Sequence, residues 1–309
     1  MSRQSDFLTF TYPPSSSSSS LPSTTSALPP AFSLLLTDTL DAPATFLLVQ
    51  LVARALRPLQ AGPGRRIEPR RRVLVVGVRE RDEYWAGVLK KNGIQLVTET
   101  ASGRFTFVDA SSPSLSLPAL FASLCTVLSP SSPDGPANSE PSQSAPSQSP
   151  AGEDTPGPLV IIDDLSALLW VGREPRDVAR WWHGVRALVD EHAASLVTLL
   201  HADTLSPSPA MHAPAPAHSP YASPEDQYLF RQVLQASDIW GEVVGLGNGG
   251  TGARGELSLH RGPALLAASA TAGGWTADAP RSGARALQYK LDEGAAAWEI
   301  KGQMAGRVW

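Results

Sequence analysis

Residues 159–172 read Leu-Val-Ile-Ile-Asp-Asp-Leu-Ser-Ala-Leu-Leu-Trp-Val-Gly. Four large apolar residues in succession leave a strand no polar face, so it must be covered on both sides, as in a parallel sheet flanked by helices. The acids that end the run, Asp163 and Asp164, stand where a nucleotide-binding α/β protein delivers a carboxylate to the edge of its sheet. The usual partner of such a strand is missing. No GxxxxGK[ST] loop occurs anywhere in the 309 residues, so the chain follows an NTPase plan without the part that holds phosphates.

The rest of the sequence supports the same plan. Phe32–Leu36 reads as a first strand, Ala44–Arg57 as a helix and Val73–Val78 as a second strand. Arg81–Asn92 reads as a helix stopped by a left-handed Gly93. Phe105–Val108 follows as a strand, Leu117–Leu128 as a helix and Leu159–Ile162 as the fourth strand. Arg176–His192 places Val178, Trp181, Trp182, Val185, Leu188 and Val189 at helical spacing, and Leu196–Leu200 is a fifth strand. Repeated β-α-β order with unbroken apolar strands implies a mostly parallel central sheet flanked by helices. After a helix at Glu225–Ala236 the style changes. Short strands at Glu242–Leu246, Glu256–His260, Ala286–Leu291 and Ala296–Lys301, joined by Gly-rich turns, predict an antiparallel edge extension.

Three Pro/Ser-rich stretches interrupt this pattern. Residues 1–30, with serines from Ser15 to Ser20, read as a flexible N-terminal arm, and residues 31–309 as a single α/β domain. Between Ser129 and Pro158, 16 of 30 residues are Ser or Pro, and nothing apolar is larger than Ala. Such a segment buries too little surface to offset its ordering entropy, so 129–158 is expected to be a disordered insertion. The stretch 204–224 reads the same way, its His212 and His218 forming no metal site.

A net charge of -4 excludes a polycation that coats nucleic acid non-specifically. The single Cys125 excludes an internal disulfide and fits a reducing compartment, with burial in FASLCTVL its simplest reading. The longest apolar run, Ala44–Leu56, is broken by Gln50 and Arg54 and is too short to span a bilayer. These features predict a cytoplasmic protein, with the nucleus as a second location and no membrane association.

The loop after the first strand, Thr37–Thr45, contains neither glycine nor lysine. Asp38 and Asp41 would repel phosphate there, while Thr39 or Thr45 could cap the following helix. Asp38, Thr39, Thr45, Asp163, Asp164 and His201, which ends the fifth strand, are therefore read as positions of a degenerate nucleotide site, with no catalytic residue, cofactor or metal. Gly245–Gly250 formally matches GxGxxG but is followed by no helix, so it reads as a hairpin loop. Arg65, Arg66, Arg70, Arg71 and Arg72 put five arginines in eight residues. They are candidate phosphate contacts, with a solvated basic loop the equal alternative. Trp181 and Trp182 are expected in the core or at a subunit interface.

Val160–Gly172, Arg72–Leu96, Ser195–Asp203 and Leu287–Met304 resemble, in order and spacing, the Elongator protein 6 family, subunit 6 of the Elongator complex. The resemblance implies a RecA-like domain lacking the phosphate loop. Elongator proteins 4 and 5 would be its partners in a hetero-hexameric ring that binds tRNA and associates with the catalytic Elongator subunits, which begin wobble-uridine (U34) modification. The chain would then be an accessory subunit and no enzyme, with the arginine run contacting tRNA phosphates. Two alternatives remain open: an active or composite-site NTPase subunit of such a ring, and an Elongator protein 5-like scaffold.

Overall fold

The computed structural model describes residues 10–12, 23–25, 28–57, 70–112, 115–129, 157–201, 223–245, 255–268, 276–277, 285–291 and 298–302. Two short strands come first, β1 (Phe10–Tyr12) and β2 (Ser23–Thr25). They are followed by β3 (Phe32–Asp38), α1 (Thr45–Leu56), β4 (Val73–Gly77), α2 (Asp82–Lys91), α3 (Leu96–Ala101) and β5 (Phe105–Asp109). Next come α4 (Leu117–Leu128), β6 (Leu159–Ile162), α5 (Ala167–Trp170), α6 (Pro175–Glu191), β7 (Ser195–His201) and α7 (Pro224–Gln235). The remaining elements are β8 (Ile239–Gly245), β9 (Gly255–Arg261), α8 (Pro263–Ala268), β10 (Thr276–Ala277), β11 (Arg285–Leu291) and β12 (Trp298–Gly302).

The main sheet runs β12-β11-β9-β8-β3-β7-β6-β4-β5. The six strands from β8 to β5 are mutually parallel, and β9, β11 and β12 add antiparallel pairs at the β8 side. Every residue of β3, β4, β6 and β7 is buried, which is why these runs carry no polar alternation. β8 and β9 do alternate between buried and partly exposed positions, as strands covered on one face should.

Alternate side chains of the central strands feed two cores. Leu34, Leu36, Val75 and Ile161 pack with α1 and with Trp85 and Leu89 of α2. Leu35, Val76, Val160 and Ile162 pack with Leu120 and Leu124 of α4, Trp182 and Val185 of α6 and Leu229 of α7. Helices thus cover both faces, as expected from the continuous apolar strands. Gly93 ends α2 at φ +75°, the left-handed stop that its position predicted.

Several boundaries differ from the sequence reading. The arm assigned to residues 1–30 contains β1 and β2, which pair with each other, and β1 also pairs with β10. Leu28 already belongs to the core at 4% exposure, so the packed domain begins before residue 31. Residues 130–156 of the expected first insertion and 202–222 of the second lie outside the described residues. Ser223 and Pro224, assigned to the second insertion, instead open α7, with the Ser223 hydroxyl accepting from the backbone N–H groups of Glu225 and Asp226. β8 and β9 pair antiparallel with Gly245 opposite Gly255, so the loop carrying GLGNGG joins a hairpin, and its residues 246–254 lie outside the described residues. The helices α3, α5 and α8 were not read from the sequence; α3 and α5 are short pieces of six and four residues.

Candidate functional site

Because β3, β7, β6 and β4 are consecutive neighbours and parallel, their carboxyl ends open onto one edge. Asp38 ends β3, His201 ends β7, Asp163 and Asp164 follow β6, and the turn after Gly77 leaves β4. Four sequence-distant segments therefore meet at one place, as the parallel reading requires.

Asp163 is 2% exposed and serves as an acceptor for the β4–α2 turn. Its Oδ1 accepts from the N–H groups of Val78 at 2.7 Å and Arg79 at 3.0 Å, and its Oδ2 from Glu80 at 2.9 Å. Burial pushes its carboxyl up to about 6, against the pull of those three donors. Asp164 lies on the other side of the strand end. Its Oδ1 accepts from Ser166 N–H at 3.0 Å, whereas its buried Oδ2 has no hydrogen-bond partner among the described residues. The Arg79 guanidinium is the nearest cation, at 3.9 Å. Burial, followed by repulsion from Asp38, raises the Asp164 carboxyl to about 7.

Asp38 is 1% exposed and divides its carboxylate between two partners. Oδ1 lies 2.7 Å from His201 Nδ1, and Oδ2 accepts from Ala44 N–H at 2.8 Å, at the start of α1. His201 is further held by its own N–H, which donates to Ser166 Oγ at 2.8 Å, and by the edge of Trp170, with ring centroids 5.7 Å apart.

The loop between β3 and α1 is where a phosphate cradle would form, and here it is closed. Ala42 N–H donates to Thr39 C=O at 3.0 Å, the two residues form an isolated bridge, and Ala42 and Ala44 are buried. Neither Thr39 nor Thr45 caps the helix; the N-cap is Ala44 and no side chain bonds there as a local cap. The Asp38 carboxylate instead takes up the Ala44 N–H. An anion-binding helix start needs free N–H groups and a cation. This one has a fixed internal anion and no lysine. Among the described residues no group of His, Cys, Asp and Glu could hold a metal ion.

The arginine run lies at the opposite edge of the sheet, at the start of β4. Arg71 corrects its reading as a phosphate contact. It is 4% exposed, and its guanidinium donates to the carbonyls of Leu28 (3.0 Å), Gly157 (2.7 Å) and Pro158 (3.1 Å) and to Ser195 Oγ (2.7 Å). It ties the segment before β3 to the starts of β6 and β7. Arg70 and Arg72 are exposed, with Arg72 also donating to Val127 C=O at 2.8 Å. Arg65 and Arg66 lie outside the described residues.

The two tryptophans separate. Trp182 is fully buried and donates from Nε1 to Thr198 Oγ1 at 2.9 Å, so it is a core residue of this chain and not an interface. Trp181, 6% exposed, forms part of the floor of a groove between α4 and α6. Cys125 is partly buried on α4, packed against the core. Sequence reasoning missed Arg79, whose closeness to Asp164 depends on a turn set by Asp163. It also missed Trp170, 57% exposed beside His201, although Trp170 stands within the motif first singled out.

No known protein-family profile matches this sequence, and no curated protein sequence matches it. Among solved structures, the KaiC-like protein PH0186 from Pyrococcus horikoshii OT3 aligns over 89% of this chain and 91% of its own, with a TM-score of 0.51 and 9% sequence identity. At that identity the likeness is one of fold. The chain has a KaiC-like, RecA-type fold, a mostly parallel sheet between helices with an antiparallel edge. No helix among the described residues is long and apolar enough to cross a membrane.

Proposed function

We propose that the chain is a non-catalytic subunit of a RecA-like ring and, more specifically, the Elongator protein 6 component of the Elongator complex. In this reading it assembles with Elongator proteins 4 and 5 into a hetero-hexamer that binds tRNA and supports wobble-uridine modification by the catalytic subunits. The observation that carries the non-catalytic part is the Asp38 carboxylate, 2.8 Å from the Ala44 N–H and 2.7 Å from His201 Nδ1. A carboxylate fixed at the helix start repels the phosphate that a working site must seat there. The four segments resembling the family, together with the RecA-type fold, support the finer identification.

Two measurements test the reading. Calorimetric titration of the purified chain with MgATP should give no saturable heat up to about 1 mM, an affinity too weak to matter. Micromolar binding would overturn the non-catalytic assignment. Native mass spectrometry of the chain co-expressed with Elongator proteins 4 and 5 should show a hetero-hexamer; a stable monomer beside those subunits would sink the ring assignment. Within the ring, Arg70→Glu with Arg72→Glu should weaken tRNA binding and flatten its salt dependence, because the exposed arginines act on phosphates.

A composite nucleotide site completed by a neighbour is the second reading, favoured by the unshared Oδ2 of Asp164. It requires that Asp164→Asn lower the ATP turnover of the assembled ring. Under the first reading turnover is unchanged.

A further inference from the structure

We propose that the groove between α4 and α6 is the docking site of this chain's own segment 202–222. This inference is independent of ring membership. The groove has a volume of about 580 Å³, in the range of built ligand sites. Leu117, Phe121, Trp181 and Gly184 provide an apolar floor, and Arg173 and Asp177 stand at its rim. Gly184 allows close approach: a Cβ there would lie 3.2 Å from Phe121 Cε2. The buried Trp181 indole N–H has no acceptor among the described residues. Buried donors are nearly always paired, so an acceptor is missing here.

Position and length select the occupant. α4 and α6 each follow a parallel strand, so their first turns, which line the groove, stand at the carboxyl edge of the sheet. Segment 202–222 leaves β7 at that same edge and returns at Ser223, at the start of α7, which packs beside α6. Adjacent helices lie about 8–10 Å apart, so the groove is roughly 15 Å from the start of α7. The 21 intervening residues in extended proline-rich form would reach ~65 Å, ample for the path out and back.

The route is itself apolar. Trp170, packed against His201 where the segment departs, is 57% exposed, and Val171, three residues before the groove residue Glu174, is 50% exposed. The segment contains Leu205, Met211 and Tyr221 among five prolines. Extended proline-rich chains present unpaired carbonyls and dock in aromatic-lined grooves, so these residues match an aromatic floor with a spare N–H donor. The other Pro/Ser-rich segment, 130–156, offers nothing apolar larger than alanine besides its prolines, and its two ends emerge at the opposite edge of the sheet, after α4 and before β6.

The test uses the full chain. A photo-crosslinking p-benzoylphenylalanine placed at Met211 should form intramolecular adducts within residues 116–121 or 173–184, mapped by mass spectrometry. Adducts confined to other regions, or formed only with a second molecule, would overturn the proposal. A second variant replaces residues 204–221 with an equal length of Gly and Ser. Hydrogen exchange in the first turns of α4 and α6 should then quicken about tenfold, the factor for a site occupied nine-tenths of the time. A synthetic peptide of residues 202–222 should restore the protection. Unchanged exchange in this variant refutes the docking even if crosslinks form.

Discussion

Asp163 and Asp164 are adjacent, both acidic and both buried, yet the structure assigns them opposite effects on stability. Asp164 is the more informative. Its carboxyl, raised from 3.8 to about 7, is neutral in the folded chain over a range where the unfolded chain holds it ionised. A group whose folded value is raised leaves stability intact below the unfolded value and removes it as pH rises toward the folded one. At ~1.4 kcal/mol per tenfold difference in proton affinity, the interval corresponds to a ceiling of ~4 kcal/mol above pH 7. Asp164→Asn should relieve part of this penalty. The amide keeps an oxygen for the Ser166 N–H but loses attraction to Arg79 and His201, which reduces the expected gain to about 2 kcal/mol at pH 8. For a domain of this size that is a rise of roughly 4–8 °C in Tm. The gain should shrink steadily below pH 7 and vanish near pH 4. The facing groups Asp38, Asp163, His201 and Arg79 are unchanged in both proteins, so the difference between the two pH profiles isolates Asp164. Thermal unfolding by circular dichroism at pH 4, 6 and 8 measures it. A variant less stable at pH 8, or one whose gain ignores pH, would refute the assignment of Asp164 as a buried and under-paired carboxyl.

Asp163→Ala should cost about 3–5 kcal/mol in urea unfolding, because three N–H donors of the β4–α2 turn lose their acceptor at once. Arg71→Lys should cost about 2–4 kcal/mol, since an ammonium cannot reproduce the four-partner fork to Leu28, Gly157, Pro158 and Ser195; an unchanged Tm would show that those carbonyls find water instead. Asp38→Ala should lower stability by about 2 kcal/mol without creating measurable MgATP binding, because removing the anion supplies neither glycine nor lysine to the loop. Gly77→Ala should destabilise by roughly 1–3 kcal/mol through a Cβ placed 2.2 Å from Phe107 Cζ, read as a lower urea midpoint at constant slope.

The parallel core was legible because each of its strands is an unbroken apolar run. That pattern has one good solution, and it fixed which strand ends share an edge. Asp38, Asp163, Asp164 and His201 could therefore be gathered in advance, even though β3 and β7 are separated by 156 residues between their ends. What each acid does there was not legible. Their roles depend on backbone N–H groups, and sequence patterns do not show where a turn such as Val78–Glu80 aims them. The arginine run failed for a related reason. RRIEPRRR reads as uniformly basic and polar, but strand periodicity sends Arg71 inward and Arg72 outward, and Arg71 finds enough carbonyls to be buried. Trp181 and Trp182 share the opposite lesson. Neighbours on a helix are about 100° apart, so one can reach Thr198 while the other floors a groove.

A sheet edge of this kind creates needs that have nothing to do with nucleotides. The turn after β4 presents three N–H groups in succession, and the start of α1 presents another, all away from bulk water. Each requires an acceptor. In a phosphate-binding site the ligand satisfies part of that demand. Here Asp163 satisfies the first set and Asp38 the second. The acids would therefore be retained on stability grounds alone, so their presence is weak support for catalysis, whereas the engagement of Asp38 with Ala44 and His201 argues against it. Asp164 is the exception. Its Oδ2 satisfies no donor and its burial is costly, so stability alone gives no reason to keep it. If Asp164→Asn stabilises the isolated chain yet impairs the assembled ring, the role of Asp164 lies at a contact with a neighbour. If the same substitution stabilises both, Asp164 has no function that the ring depends on.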